Sequence, residues 1–458
     1  MDGKKKLTIQ FLGAASTVTG SKYLISNGTN NLLIDCGLFQ GLKSLRLKNW
    51  DEFPIDPSKI DAILLTHAHL DHSGYIPRLI KRGFRGKIFS TAATKDLCQI
   101  LLTDAGYLAE EEAEYLNKHK RSKHKPALPL FTFEDAQKSI EYFQAVNFNF
   151  EFNLNDEISF QFRYAGHILG AASIILRVGD IKIGFTGDIG RPQDPIFYSP
   201  RELPAVDYLI TESTYGNRKH VDSDPISELE KCIVETVARG GSVIIPSFAV
   251  GRAQSLMYYL WKLKLENKIP NIPMYLNSPM ATNANAVWTQ YHELHRLNGQ
   301  ECKDVCGIVK YIQGVEESKA LNEQTTPMVI ISASGMLTGG RILHHIKQFG
   351  PDEKNTILLT GFQAAGTRGE ALLNGAKQIK IHGEYVDIKA KVKMLDNISA
   401  HADYSEIVEW FKRSQISPKR VFVTHGEPTA ADEMRKRLNE SLNWNCIVPL
   451  LNESFTLE

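Results

Sequence analysis

Cysteine is scarce in this chain: six in 458 residues, at positions 36, 98, 232, 302, 306 and 446. Thiols scattered over such a length exclude a disulfide framework. Cys302 and Cys306 lie four apart, but no second Cys or His pair completes a thiolate zinc site, so they read as free thiols. No run of about 18 uncharged apolar residues occurs, which leaves no candidate membrane span. The opening Met1-Asp2-Gly3-Lys4-Lys5-Lys6 passes straight into a strand-like run and lacks the apolar stretch and cleavage site of a signal peptide. A cytoplasmic protein is therefore expected. An excess of one charge is missing too: 53 Lys and Arg against 52 Asp and Glu leave a net charge of +1. Any hold on phosphates must then come from a local patch or from bound metal. There is no internal repeat and no low-complexity segment.

What is present is a globular composition, 43% hydrophobic and 23% charged, in a chain long enough to predict two domains. Its densest chemistry is His67-Ala68-His69-Leu70-Asp71-His72, directly after the apolar run Leu64-Leu65-Thr66. His67 and His69 can reach one metal from a loop that follows a strand, with Asp71 and His72 facing a second beside it. Imidazole nitrogen and carboxylate oxygen are the donors that catalytic zinc takes. Other candidates recur downstream, each at the end of an apolar strand-like run: Asp35 in Leu32-Leu33-Ile34-Asp35-Cys36-Gly37, His167 in Ala165-Gly166-His167, Asp188 in Gly187-Asp188-Ile189-Gly190 and His425 in Val421-Phe422-Val423-Thr424-His425-Gly426.

The pattern along the chain changes near 205. Before it, strand-like runs are predicted near 7–12, 22–26, 31–35, 62–66, 87–90, 158–164, 173–178 and 181–186, with helices near 72–82, 93–116 and 134–145. After it, strands such as Val243-Ile244-Ile245 and Val329-Ile330-Ile331 alternate with amphipathic helices, which predicts a parallel sheet with helices on its faces. A late His then returns as a candidate ligand of the first domain. The predicted organisation is a first domain over 1–204, an insert over 205–389, and a returning segment over 390–458, whose apolar residues in 406–411 are expected to pack on the first domain.

The H-x-H-x-D-H spacing with the early Asp, single His, later Asp and late His resembles the metallo-β-lactamase superfamily. The insert resembles the β-CASP subgroup of nucleic-acid-processing nucleases. Its motifs are Glu212 in Leu209-Ile210-Thr211-Glu212, His401 in Ser399-Ala400-His401-Ala402-Asp403, and His425. Pro246-Ser247-Phe248-Ala249-Val250-Gly251-Arg252, Ser332-Ala333-Ser334-Gly335 with Gly339-Gly340-Arg341, and Gly361-Phe362-Gln363 look like the same subgroup. The resemblance covers essentially the whole chain. It is nearest in pattern to the catalytic subunit of pre-mRNA 3′-end cleavage and its short bacterial exonuclease homologues. It implies an α/β fold, a metallo-β-lactamase αββα sandwich with an inserted β-CASP domain.

The resemblance also implies two zinc ions. One would be held by His67, His69, His167 and Asp188, and the other by Asp71, His72, Asp188 and His425. Two-metal hydroxide attack on RNA phosphodiesters would follow. His401 would be the general acid, helped by Glu212, and Asp35 would orient ligands by hydrogen bonding. Ser332, Ser334 and Arg252 are tentative phosphate contacts, each with a structural reading beside it: a helix cap for the serines, an ion pair for the arginine. The basic run Lys118-His119-Lys120-Arg121-Ser122-Lys123-His124-Lys125 reads either as a solvated loop or as a contact with polyanionic substrate. Single-stranded RNA is the expected partner, with a homodimer or protein partners left open. Three other functions compete: hydrolysis of another ester, a DNA nuclease, and an RNA-binding scaffold. The insert and His401 disfavour the first, His425 the second, and the complete ligand set the third.

Overall fold

The computed structural model describes residues 6–458; the lysine-rich opening lies outside them apart from Lys6. Two compact units divide the chain: 1–219 with 401–458, and 220–400.

The first unit is built on two seven-stranded sheets. One runs, in spatial order, Ser454–Leu457, Leu7–Phe11, Tyr23–Ser26, Asn31–Ile34, Ala62–Leu64, Lys87–Ser90 and Phe143–Ala145. The other runs Cys446–Ile447, Arg420–Val423, Tyr208–Thr211, Ile181–Phe185, Ala172–Val178, Ile158–Tyr164 and Glu151–Asn153. Alternate residues of each strand point to opposite faces. Ile9, Phe11, Ile34 and Leu64 of the first sheet meet Phe160, Phe162, Ile174, Ile183 and Phe185 of the second in one apolar core. The outward set is covered as well. Leu33, Ile63 and Ile88 are fully buried, and the helix Ala92–Lys118 packs on the helix Phe133–Ser139 and the strand Phe143–Ala145. Leu209, Val421 and Val423 pack on Ile407, Trp410 and Phe411 of the helix Tyr404–Ser414 and on Met434 and Leu438 of the helix Pro428–Leu442. The layers are thus helix, sheet, sheet, helix.

The second unit carries a six-stranded sheet, all parallel: Lys310–Tyr311, Met274–Asn277, Val329–Ser332, Val243–Pro246, Thr356–Thr360 and Lys391–Leu395. Ile244, Ile330, Ile357 and Leu359 pack on Ile342, Ile346 and Phe349 of the helix Ile342–Phe349. The helices Pro225–Ala238 and Arg252–Leu265 pack together and bury Leu229, Ile233, Leu256 and Leu260.

The units do not break at 204/205 and 389/390. Tyr208–Thr211 lies between Ile181–Phe185 and Arg420–Val423, parallel to both, so it belongs to the first unit. Lys391–Leu395 pairs with Thr356–Thr360 and belongs to the second. The helix expected near 72–82 is two, Leu70–Ser73 and Ile76–Lys81. The helix expected over 134–145 stops at Ser139, because Phe143 is buried in a short strand paired with Lys87–Ser90.

Candidate metal centre

The ligand candidates stand in the segments that follow strands. His67 and His69 follow Ala62–Leu64, and Asp71 and His72 lie in the four-residue helix Leu70–Ser73. His167 follows Ile158–Tyr164, Asp188 follows Ile181–Phe185, and His425 follows Arg420–Val423. Loops at strand ends are where sheet proteins gather reactive groups. Two glycines let these loops approach. A Cβ on Gly37 would lie 1.6 Å from the Asp71 carbonyl oxygen, and one on Gly190 would lie 1.9 Å from the Gly166 carbonyl oxygen beside His167.

Two clusters result, and they share one carboxylate. In the first, His69 Nδ1 lies 3.2 Å from both His67 Nε2 and His167 Nε2. Asp188 Oδ2 lies 3.3 Å from His67 Nε2 and 3.5 Å from His167 Nε2. In the second, His72 Nε2 lies 3.0 Å from His425 Nε2, which lies 3.3 Å from Asp71 Oδ2. Asp188 Oδ1 lies 3.3 Å from His72 Nε2 and 3.4 Å from His425 Nδ1. Asp188 is buried, and its Oδ1 accepts no hydrogen bond among the described residues. A buried carboxylate oxygen without a donor carries an uncompensated cost that a cation would remove.

The electrostatics suit a cation. Burial holds the imidazoles of His67 and His167 below their usual range, and it pushes His69 down to about 3; the neighbouring rings add to the effect. Burial thus favours the neutral form of these rings, which presents a lone pair. Burial works against ionisation of Asp71 and Asp188, but the surrounding histidines outweigh it and keep both carboxyls below the usual range. Burial likewise opposes a charge on His72, and the carboxylates of Asp188 and Asp35 overcome it. The field that would draw a proton to His72 would draw a metal ion as well. Imidazoles with ionised carboxylates, and no thiolate, form a donor set that fits a catalytic metal.

A ring of hydrogen bonds fixes these side chains. Asp35 Oδ2 lies 2.7 Å from His72 Nδ1, while Oδ1 accepts from the Thr66 backbone N–H at 2.8 Å and from its hydroxyl at 3.0 Å. Thr66 Oγ1 also lies 3.0 Å from His67 Nδ1. With Nδ1 engaged, Nε2 is the nitrogen each ring offers to the centre. Thr214 Oγ1 sits 3.2 Å from His425 Nδ1 and donates to Glu212 Oε2 at 2.6 Å. Glu212 Oε2 also lies 3.0 Å from His401 Nδ1. The His401 ring stands 4.5 Å from that of His167. Burial disfavours the imidazolium of His401, but Glu212 and Asp188 outweigh it and raise its pKa above the ordinary 6.5. Just after His401, Asp403 caps the helix Tyr404–Ser414 in a capping box with Glu406, which fixes the direction of the chain there. Sequence reasoning missed Thr66 and Thr214. Their signal was position, beside His67 and two residues after Glu212.

The candidate phosphate contacts all lie in the second unit. Ser332 is fully buried and donates to the Asn277 carbonyl at 2.8 Å. Ser334 Oγ accepts from the Thr338 N–H at 3.0 Å. The helix after this loop starts only at Ile342, so the serines are not its cap. Arg252 opens the helix Arg252–Leu265 and is buried, its guanidinium so close to Gly361 that a Cβ there would lie 2.6 Å from Nη1.

Known proteins resemble this chain in sequence and fold. The metallo-β-lactamase superfamily model matches residues 17–87, the Beta-Casp domain model residues 253–372, and the Zn-dependent metallo-hydrolase RNA specificity domain model residues 385–449. Ribonuclease TTHA0252 of Thermus thermophilus is 34% identical over 423 residues, which cover 91% of this chain and 92% of that protein. The chain belongs to the β-CASP metallo-β-lactamase RNA nucleases. It is a metal-dependent ribonuclease by that membership. Two further β-CASP relatives widen the picture. The RNase J-like protein of Methanocaldococcus jannaschii is 32% identical over 431 residues, 92% of each chain. The transcription termination factor FttA of Methanosarcina mazei is 30% identical over 451 residues, 94% of this chain and 68% of that one. The crystal structure of a protein of unknown function from Enterococcus faecalis V583 aligns over 99% of this chain and 100% of that one, with a TM-score of 0.55 at 14% identity, a likeness of fold. No helix among the described residues is long and apolar enough to cross a membrane.

Proposed function

We propose that this β-CASP nuclease hydrolyses phosphodiester bonds of single-stranded RNA with two zinc ions, leaving a 3′-hydroxyl and a 5′-phosphate, in RNA processing or decay. His67, His69, His167 and Asp188 would hold one ion; Asp71, His72, His425 and the other oxygen of Asp188 would hold the second. When bound, such a pair supplies a nucleophilic water at neutral pH and neutralises charge on the phosphate. The observation that carries the two-ion reading is Asp188, whose Oδ2 faces one trio of ligands and whose Oδ1, lacking a hydrogen-bond donor, faces the other.

The chain's own residues supply the proton. The leaving 3′-oxygen needs one, and His401 is set to donate it. Glu212 holds Nδ1, so Nε2 is the nitrogen that would give its proton to the leaving group. The raised pKa keeps a larger share of the ring protonated near neutrality. Glu212 is itself held, accepting from the Ile189 N–H and the Thr214 hydroxyl, so it positions His401 rather than moving with it. Asp35 and Thr66 orient His72 and His67.

The test is a gel assay of zinc-loaded protein on 5′-monophosphorylated single-stranded RNA, with matched DNA and the His401→Ala variant alongside. Cleavage of RNA to 5′-phosphorylated products, lost in His401→Ala while two zinc ions per chain remain, is expected. Intact RNA at full zinc occupancy would overturn the reading.

A further inference from the structure

The basic run at 118–125 is not absorbed by the metal centre. It begins at the end of the helix Ala92–Lys118 and leaves it as a loop that is pinned at its base. Asn117 clips both backbone groups of Ala127: its Nδ2 donates to the Ala127 carbonyl at 3.0 Å, and its Oδ1 accepts from the Ala127 N–H at 2.7 Å. Between these anchors, Lys118, Lys120, Arg121, Lys123 and Lys125 are all exposed. None of the five takes part in an ion pair among the described residues. Exposed lysines elsewhere do hold carboxylates, such as Lys138 with Glu134 at 2.6 Å and Lys319 with Glu316 at 2.7 Å. Attraction of cations to the negative helix C-terminus explains Lys118 and Lys120. It does not explain Arg121, Lys123 and Lys125, which lie beyond the last turn.

Aromatic surface lies beside the charges. Tyr115 is 39% exposed and its ring stands 4.5 Å from that of His119. Arg121 donates to the Tyr115 hydroxyl at 2.6 Å and lies 5.5 Å from the ring centroid. Unneutralised cations along a strip, with an exposed aromatic face at its edge, are what a single-stranded nucleic acid takes: phosphates on the cations, a base on the ring.

We propose that the loop 118–126 with Tyr115 and His119 is a second RNA-binding strip, holding the strand away from the scissile bond. The proposal rests on the ribonuclease reading above and names where a longer substrate gains its affinity. The test compares the triple variant Lys120→Ala, Lys123→Ala, Lys125→Ala with the charge-preserving triple Lys→Arg variant at the same positions. Both are assayed on RNAs of about 30 and about 6 nucleotides, and binding is measured in a His401→Ala background across a salt series. The alanine triple is expected to raise KM for the long RNA about ten-fold with kcat unchanged and to leave the short RNA unaffected. It should also lower the slope of log affinity against log salt by about 2, or roughly 0.7 for each lost phosphate contact. The arginine triple should match the parent. Unchanged KM and salt slope in the alanine triple, with RNA still cleaved, would overturn this strip and leave the ribonuclease reading standing. Absent cleavage of any RNA, alongside a salt slope that still depends on the loop, would overturn the ribonuclease reading and keep the strip.

Discussion

Asp188 joins five histidines and a second carboxylate into one centre because each of its oxygens faces a different trio. On the two-zinc proposal, Asp188→Asn should cost both ions, with bound zinc falling towards zero by elemental analysis, whereas losing a ligand of one trio should spare part of the other ion. Thr66 is the subtler case. Its hydroxyl donates to Asp35 and lies against His67 Nδ1. Thr66→Val keeps the volume and removes that link, so metal affinity should fall about 10- to 100-fold in a chelator competition, with the fold intact. His401→Ala should do the opposite: zinc retained and cleavage slowed about 10²- to 10⁴-fold, the usual worth of a positioned acid. The candidate donors were legible as residues, since H-x-H-x-D-H packs four donor side chains into six positions. Thr66 and Thr214 were not, because an ordinary threonine declares a role only once its neighbours are known.

Strands with unbroken apolar runs were legible to within a residue or two, such as Ile158–Tyr164 and Ile181–Phe185, whose residues face the core between the sheets. The short edge strands Glu151–Asn153 and Cys446–Ile447 were not, because two or three residues carry no period and pair only when a neighbour is offered. The loop that brings Gly37 against Asp71 sets a sharp local condition. Gly37→Ala would force a Cβ into the Asp71 carbonyl and should lower zinc content and melting temperature together. The helix Ala92–Lys118 carries a pH-sensitive position. Burial, with Glu111 nearby, pushes the Asp104 carboxyl from 3.8 up to about 6. A carboxyl whose folded pKa is raised adds stability that is complete below pH about 4 and is lost as pH rises through about 6. Asp104→Asn should leave the unfolding free energy unchanged near pH 4 and raise it at pH 7 by about 1 kcal/mol after allowance for partial exposure, read from denaturation curves at the two pH values.

Across the whole molecule, the ligand-bearing loops span 67 to 425 in sequence, yet all belong to the unit formed by 1–219 and 401–458. Zinc binding to that unit should show as local protection. In hydrogen exchange, removing zinc should expose amides at 66–73, 165–170, 186–190 and 424–426. The central strands of the other unit, 243–246 and 329–332, should stay as they were. The return of the chain was legible from the late His425, but the junctions were not. The sequence placed Tyr208–Thr211 with the insert and 391–395 with the returning segment, and only strand pairing assigns each to its unit. The sequence by itself determined the donor chemistry, because side-chain type decides what can bind a metal or carry a proton, and it determined the alternation of strands and helices, because periodicity is local. Tertiary structure alone decided which oxygen of Asp188 would face which trio, that Asp35 would hold His72, and that Ser332 would spend its hydroxyl inside the sheet. Each of those depends on a contact between residues far apart in the chain, set by the packing of whole sheets.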